Sequence, residues 1–397
     1  FVPMGAGHAG STEKRVPARA ADLVAPGVLS KLVLGSLVMA LGFIVYYGMT
    51  TSYMGLHFEL AACAPKDGAC LAGAQAAGWT HQIWFNVGMQ SSAPVNIHPD
   101  GTVSQASSGG PMYWSYTLCG APATEDWQPR FGYHGFRYIQ AEWTSPGGKV
   151  LGLTGIPIHS NSPVTGSFES SNQMLNRIHS LIVNAMHNNE ASLFTDCPHR
   201  EKLGWLEETH LVASGLMFNN NLGGLFAATE QNIADAQHED GLVPTTAPQY
   251  TVFGPKYPIY DDSPEWGSAS ILAPWAAYRF YGDRAPLVRA YPTMKAYIKF
   301  LESKAENGIV AYGLGDWYDI GPGGPGVSKN TTLGVTGTLM LYEDAIAMNK
   351  IATLLGNVGD ASTYAALANR EKSAFNTRFW NAEAGYYDKG SQTANAM

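Results

Sequence analysis

A chain of 397 residues, 45% of them hydrophobic, is long enough for two domains with substantial cores. Its net charge of −8 and the absence of a long basic run exclude nucleic acid as an expected partner. Charged residues are only 14% of the chain, so stretches where they concentrate stand out, and without CxxC or HExxH patterns no built-in zinc site is expected.

In chain order, residues 1–24 are rich in Gly, Ala and Arg without a period and read as a loose lead-in. Leu32–Met49 is almost continuously apolar, long enough to cross a bilayer. Gly35, Gly42 and Gly48 break it, however, and Lys31 is its only nearby cation. Two consecutive buried strands account for it better, and no membrane insertion is expected. Cys63 and Cys70 bracket a turn-like insert suited to a local disulfide in an oxidising compartment, while Cys119 reads as a buried thiol. Alternating or aromatic-rich runs at Gln82–Val87, Tyr113–Leu118, Phe131–Trp143 and Val150–Leu153 are separated by turn clusters such as Pro99-Asp100-Gly101. They predict a β-sandwich over residues 25–165.

After Ser167 the texture turns helical. Ser171-Asn172-Gln173 caps a helix running to about Asn188, and a second helix is expected from Pro198 to about Phe218, with Thr195 or Asp196 as its cap. Further helices are expected at Leu222–His238, Trp266–Tyr281, Ala285–Ser303, Thr336–Leu355 and Ala361–Phe379, with stripes such as Leu341, Ala345, Met348 and Ile351. Long polar loops at Pro244–Asp262, Gly313–Gly326 and Trp380–Ser391 alternate with them. This alternation predicts a helical toroid over residues 166–397 with its site at one end.

The densest chemistry lies in Thr195–Glu208, where acids, a base, an imidazole and an indole crowd together. On a helix Glu201, Trp205 and Glu208 fall at i, i+4 and i+7, one face. Glycosidic bonds are usually cut by two carboxyl groups, one of raised pKa that protonates the leaving oxygen. Glu201 is the candidate acid, Arg200 a clamp for a hydroxyl or carboxylate, and Trp205 a pocket wall that excludes water. The plainer account of the same residues is a capped amphipathic helix with surface Glu/Lys pairs. A second constellation, Gly313-Leu314-Gly315-Asp316-Trp317-Tyr318-Asp319, gathers acids and rings in a Gly/Pro-framed loop. A third is Asp261-Asp262-Ser263-Pro264-Glu265-Trp266-Gly267, where Asp262 or Ser263 caps a helix and Trp266 is core or subsite wall. His199, His210 and His238 are ligand or base candidates, although a lone His is more often structural.

The run Asp196-Cys197-Pro198-His199-Arg200-Glu201-Lys202-Leu203-Gly204-Trp205 resembles the signature of the α-L-rhamnosidases of glycoside hydrolase family 78. Trp127-Gln128-Pro129-Arg130-Phe131 through Tyr138, Pro264-Glu265-Trp266-Gly267 with Pro274-Trp275, Gly315-Asp316-Trp317 and Ser391-Gln392-Thr393-Ala394-Asn395-Ala396 resemble further blocks of that family. The resemblance implies an α+β multidomain fold, with an N-terminal β-sandwich followed by an (α/α)6 barrel. It also implies an exo-acting, inverting hydrolase using two glutamates. Carried over, Glu201 is the general acid, and Asp196, Arg200, Trp205, Glu208, Trp266, Asp316 and Trp317 bind substrate. The family's general base follows the Ser391–Ala396 block, so the barrel is expected to be incomplete at residue 397.

Two departures matter. The family usually continues Trp-Thr-Gly-Asp, where this chain has Trp205-Leu206-Glu207-Glu208, and His199 stands where Gln is commoner. Similar barrels release rhamnose from glucuronate by β-elimination, which needs a cation and a base; Arg200 with His199, His210 or Tyr318 are the candidates. A third alternative is an inactive glycan-binding barrel. The expected partner is a carbohydrate. No cofactor is called for; a structural calcium in the β-domain is left open, although the sequence shows no dedicated acidic cage for it. Low charge and substrate class point to a periplasmic or secreted protein, and the sequence sets no oligomeric state.

Overall fold

The computed structural model describes residues 55–61, 82–88, 113–118, 124–136, 138–143, 149–319, 321, 323–324 and 326–397. The lead-in, the apolar run Leu32–Met49 and the cysteines Cys63, Cys70 and Cys119 lie outside these residues. Among the described residues no helix is long and apolar enough to cross a membrane.

Six strands precede the helices: β1 Gly55–Ala61, β2 Gln82–Gly88, β3 Tyr113–Thr117, β4 Glu125–Trp127, β5 Tyr138–Trp143 and β6 Lys149–Ile156. They form two antiparallel three-stranded sheets, ordered β4-β1-β6 and β3-β2-β5. The expected strand Phe131–Trp143 is shorter at its start, because Phe131 takes a left-handed φ of 60°. The residues before β5 turn instead toward the helical part, where Gly135 N donates to Pro198 O at 2.9 Å. Strand β4, of three residues, is too short to leave a periodic signal.

From residue 173 the described chain is mostly helical: α1 Gln173–Asn188, α2 Leu206–Leu211, α3 Ala213–Asn219, α4 Gly223–Ala236, α5 Pro264–Gly267, α6 Ala269–Tyr281, α7 Ala285–Lys304, α8 Leu333–Leu355 and α9 Val358–Phe379. A small hairpin, β7 Trp380–Asn381 with β8 Tyr386–Tyr387, and the short helix α10 Gln392–Ala396 follow. Asn172 caps α1, its side chain accepting Met174 N at 2.9 Å. Helices α6 and α8 end on Gly282 (φ 71°) and Gly356 (φ 80°), the left-handed position where glycine avoids the Cβ clash. The stripe Leu341, Ala345, Met348 and Ile351 on α8 is wholly buried, packed with Met294, Tyr297, Ile298 and Leu301 of α7 and Tyr364 and Leu367 of α9. Each large apolar side chain so buried contributes about 1.5–3 kcal/mol before conformational entropy is charged against it.

The helix expected from Pro198 to Phe218 is not continuous. Residues 197–204 form a loop, Trp205 occupies the N-cap position of α2, and α3 begins afresh after Val212. The cause is backbone conformation: Cys197 (φ 61°) and Lys202 (φ 55°) are left-handed, which no α-helix accommodates. Neither Thr195 nor Asp196 therefore caps a helix, and Glu201, Trp205 and Glu208 do not share a helical face. They converge through the loop instead.

Candidate active site

Short main-chain bonds at both ends hold the loop. Thr195 N donates to Asn189 O at 2.8 Å, and Asp196 N donates to Leu203 O at 2.9 Å, closing residues 196–203 into a tight excursion. At the exit Ala247 N donates to Gly204 O at 3.0 Å and Leu206 N to Thr245 O at 2.9 Å, so the loop pairs with the segment 245–247. Gly204 permits this approach: a Cβ there would lie 2.6 Å from Ala247 O and 2.7 Å from Leu193 Cδ1. From the loop's outer side Lys202 reaches back to the β-strand region. Its ammonium donates to Tyr133 O and lies 4.4 Å from the Tyr133 ring centroid.

This geometry collects the first carboxyl cluster. One ligand atom each of Asp196, Cys197 and Glu201 lie within 4.8 Å of one another. The buried Cys197 thiol donates to Asp196 Oδ1 at 3.1 Å. Burial and the neighbouring Glu201 carboxylate push Asp196 up from 3.8 to about 7, with a further upward contribution from its hydrogen bond to Glu201. Asp196 therefore holds its proton to higher pH than an isolated aspartate would. Glu208 joins from the first turn of α2. Its Oε2 is buried without a partner, and burial together with Asp196 and Glu207 drives its pKa well above the ordinary range.

Glu207 and Glu208 are adjacent on α2, so their side chains diverge by about 100°. Glu207 therefore faces a second cluster: burial, Glu265 and Asp316 raise its pKa well above the usual carboxylate range. Glu265 sits in the first turn of α5 and accepts from Ser263 Oγ at 2.6 Å, while Leu314 N donates to that same hydroxyl at 2.9 Å. Ser263 thus stands at the N-cap position of α5 but spends its hydroxyl on tying the third constellation to the second. Asp316 accepts from Thr393 Oγ1 at 2.6 Å, and burial is the main cause that raises its pKa. Asp262 is pushed up to about 6 by burial.

Aromatic rings bridge the two clusters. Trp266 meets Trp205 edge-on at 6.4 Å, Trp205 stacks on Phe253 at 5.6 Å, Phe253 packs on Tyr260 at 5.4 Å, and Tyr260 meets Trp317 edge-on at 5.7 Å. The predicted residues Trp205, Trp266 and Trp317 are so joined into one wall. Phe253 and Tyr260, which sequence reasoning did not single out, are its middle; the crowding of rings, Gly and Pro in Phe253–Tyr260 was the available signal. The indole N–H groups of Trp205 and Trp266 are buried without an acceptor.

The remaining candidates divide. Arg200 is exposed beside the first cluster and partly offsets the upward push on Asp196. His199 is buried, and its pKa is lowered to about 4 by burial and by the cations Arg200 and Lys202. His210 is lowered to about 4 by burial, and its Nε2 bonds Glu265 O at 2.7 Å, which makes it a strut between α2 and α5. Tyr318 points outward, 57% exposed, with a left-handed φ of 66°. Asp319 is a loop fastener: one oxygen accepts Lys329 N at 2.8 Å and Asn330 N at 2.6 Å. Asp261 does the same for Phe253 N and Gly254 N, at 3.0 and 2.9 Å. His238 Nε2 lies 3.4 Å from Gln249 Oε1.

Clustered buried carboxyl groups beside a wall of rings, on a mostly helical scaffold, are the arrangement that carbohydrate-active helical domains use. Residues 163–397 match the bacterial alpha-L-rhamnosidase six-hairpin glycosidase domain, and residues 90–159 the bacterial alpha-L-rhamnosidase concanavalin-like domain. The chain belongs to the α-L-rhamnosidases of glycoside hydrolase family 78. An alpha-L-rhamnosidase of Streptomyces avermitilis is 32% identical over 287 residues, 71% of this chain and 26% of that protein. One from Formosa agariphila is 30% identical over 223 residues, 55% of this chain and 23% of that protein. Among solved structures, the Dictyoglumus thermophilum alpha-L-rhamnosidase superposes with a TM-score of 0.70 at 30% identity, covering 84% of this chain and 34% of that one. The Streptomyces avermitilis enzyme complexed with L-rhamnose gives 0.72 at 28% identity, covering 87% and 30%. The chain thus spans about a quarter to a third of the length of these relatives.

Proposed function

We propose that this protein is an exo-acting, inverting α-L-rhamnosidase in which Glu201 is the general acid, on an (α/α)6 barrel preceded by a β-sandwich. What supports the reading is the gathering of Asp196, Cys197 and Glu201 within 4.8 Å of one another, in the loop that leads into Trp205 and the aromatic wall. A terminal rhamnosyl unit lies with its C–H face on the Trp205–Trp317 wall, and the hydroxyls meet Asp196, Arg200, Glu208 and Asp316. Glu201 gives its proton to the glycosidic oxygen as the C–O bond breaks and is left as a carboxylate, the bonding electrons departing with the protonated leaving group. Inversion needs a second carboxylate about 6.5–9.5 Å away, to activate water on the opposite sugar face. By the family resemblance that glutamate follows the Ser391–Ala396 block, which Thr393 already tethers to Asp316.

The L-rhamnose complex of the Streptomyces avermitilis relative supports the choice of sugar. Hydrolysis is further supported by His210, a candidate base for β-elimination, whose Nε2 is engaged by a main-chain carbonyl. A periplasmic or secreted location accords with a glycan substrate. The test is proton NMR of rhamnoside cleavage as it proceeds. The β-anomer of free L-rhamnose should appear first and then mutarotate; first formation of the α-anomer, or an unsaturated uronate product, overturns the reading.

A further inference from the structure

Outside the carboxyl clusters, a cavity of about 550 Å³ opens between the start of α8, the end of α9 and the β7–β8 hairpin. Its lining combines an apolar floor, including Ile309, with Arg378, Trp380, Asn381 and Asp388. Trp380 packs on Tyr387 at 4.9 Å and is still 45% exposed, so part of its ring is open to a ligand. Arg378 is exposed, and among the described residues its guanidinium meets no carboxylate. The carboxylate next to it is already spent: Asp388 accepts Thr332 N at 2.9 Å and Thr332 Oγ1 at 3.1 Å, closing off the start of α8.

An exposed indole suits the C–H face of a pyranose, and a planar cation without a partner suits a carboxylate bound through two parallel hydrogen bonds. We propose that this cavity is a glycan subsite for a uronic acid unit, with Arg378 on the carboxylate, Trp380 under the ring and Asn381 on a hydroxyl. The subsite is separate from the reading of Glu201 and stands whether or not that residue is the acid. It does communicate with the candidate active site through the C-terminal segment: Asp388 holds Thr332, Thr331 Oγ1 lies 2.7 Å from Ser391 Oγ, and Thr393 holds Asp316.

The test is calorimetric titration of the purified protein with methyl β-glucuronide, methyl β-glucoside and sodium sulfate. The uronide should bind about tenfold more tightly than the glucoside, the two differing only in the carboxylate. Arg378→Gln should remove that difference, and Trp380→Ala should weaken both sugars. Far-ultraviolet circular dichroism checks that the variants are folded. Equal binding of the two sugars, uronide binding unchanged in both variants, or sulfate binding as tightly as the uronide overturns the proposal. Rhamnoside cleavage plays no part in the readout, so failure here and failure of the rhamnosidase reading remain distinct.

Discussion

At the scale of single residues, the site is governed by where protons reside. Asp196 has a folded-state pKa of about 7, above its ordinary 3.8, so between those values the folded protein binds more protons than the unfolded chain. The sign follows: Asp196 favours the fold most below about pH 4, and that contribution is lost as pH rises toward 7. Glu208 and Glu207, both raised by burial, act in the same direction. Asp196→Asn should therefore flatten the pH dependence of Tm between pH 5 and 8 and raise Tm at the alkaline end. A Tm profile parallel to wild type would show that Asp196 ionises normally. The same substitution removes the partner of Glu201, so kcat should fall even where Tm rises.

Glu207 shows how one position can redirect a site. Turned about 100° around α2 from Glu208, it adds a third buried acid to Glu265 and Asp316. Glu207→Gln removes an ionisable group that burial holds protonated while keeping its shape, and should raise stability at alkaline pH with little change at pH 5. Urea unfolding at the two pH values measures this.

At the scale of elements, close backbone approach sets the loop that carries Glu201. Gly204→Ala would drive a Cβ into Ala247 O and the Leu193 side chain, at a cost of about 1–3 kcal/mol in urea unfolding. Asn172→Ala removes the cap of α1, with a loss of about 1 kcal/mol and no effect on cleavage. What was legible in the sequence follows the same physics. The α8 stripe and the Asn172 cap are local signals, a 3.6-residue period and a side chain matched to an orphan N–H, and both stand in the fold. The continuous helix through Glu201 does not: Cys197 and Lys202 are left-handed, and the loop pairs at its exit with residues 245–247 and reaches Tyr133 through Lys202, long-range contacts that no local pattern reports. The site residues were legible as types rather than as an arrangement. Trp205, Trp266 and Trp317 were singled out separately, and the Phe253–Tyr260 loop that joins them was not.

At the scale of the whole molecule, the strand region and the helical region meet at the motif. Gly135 N bonds Pro198 O, and Lys202 is clasped by Tyr133. The loop bearing Glu201 is thus braced from both sides: by the segment leading into β5, and by residues 245–247 before α5. The C-terminal segment reaches the second carboxyl cluster through the hydrogen bond from Thr393 to Asp316. The account rests on Glu201 supplying the proton that lets the leaving group depart. That makes the dependence on leaving group its most direct test: kcat of wild type and Glu201→Gln on an unactivated disaccharide rhamnoside and on a nitrophenyl rhamnoside. The account predicts a loss of about 10²–10⁴-fold on the disaccharide and a far smaller loss on the aryl glycoside, whose leaving group needs no proton. An equal loss on both substrates, or near wild-type turnover on both, would contradict it.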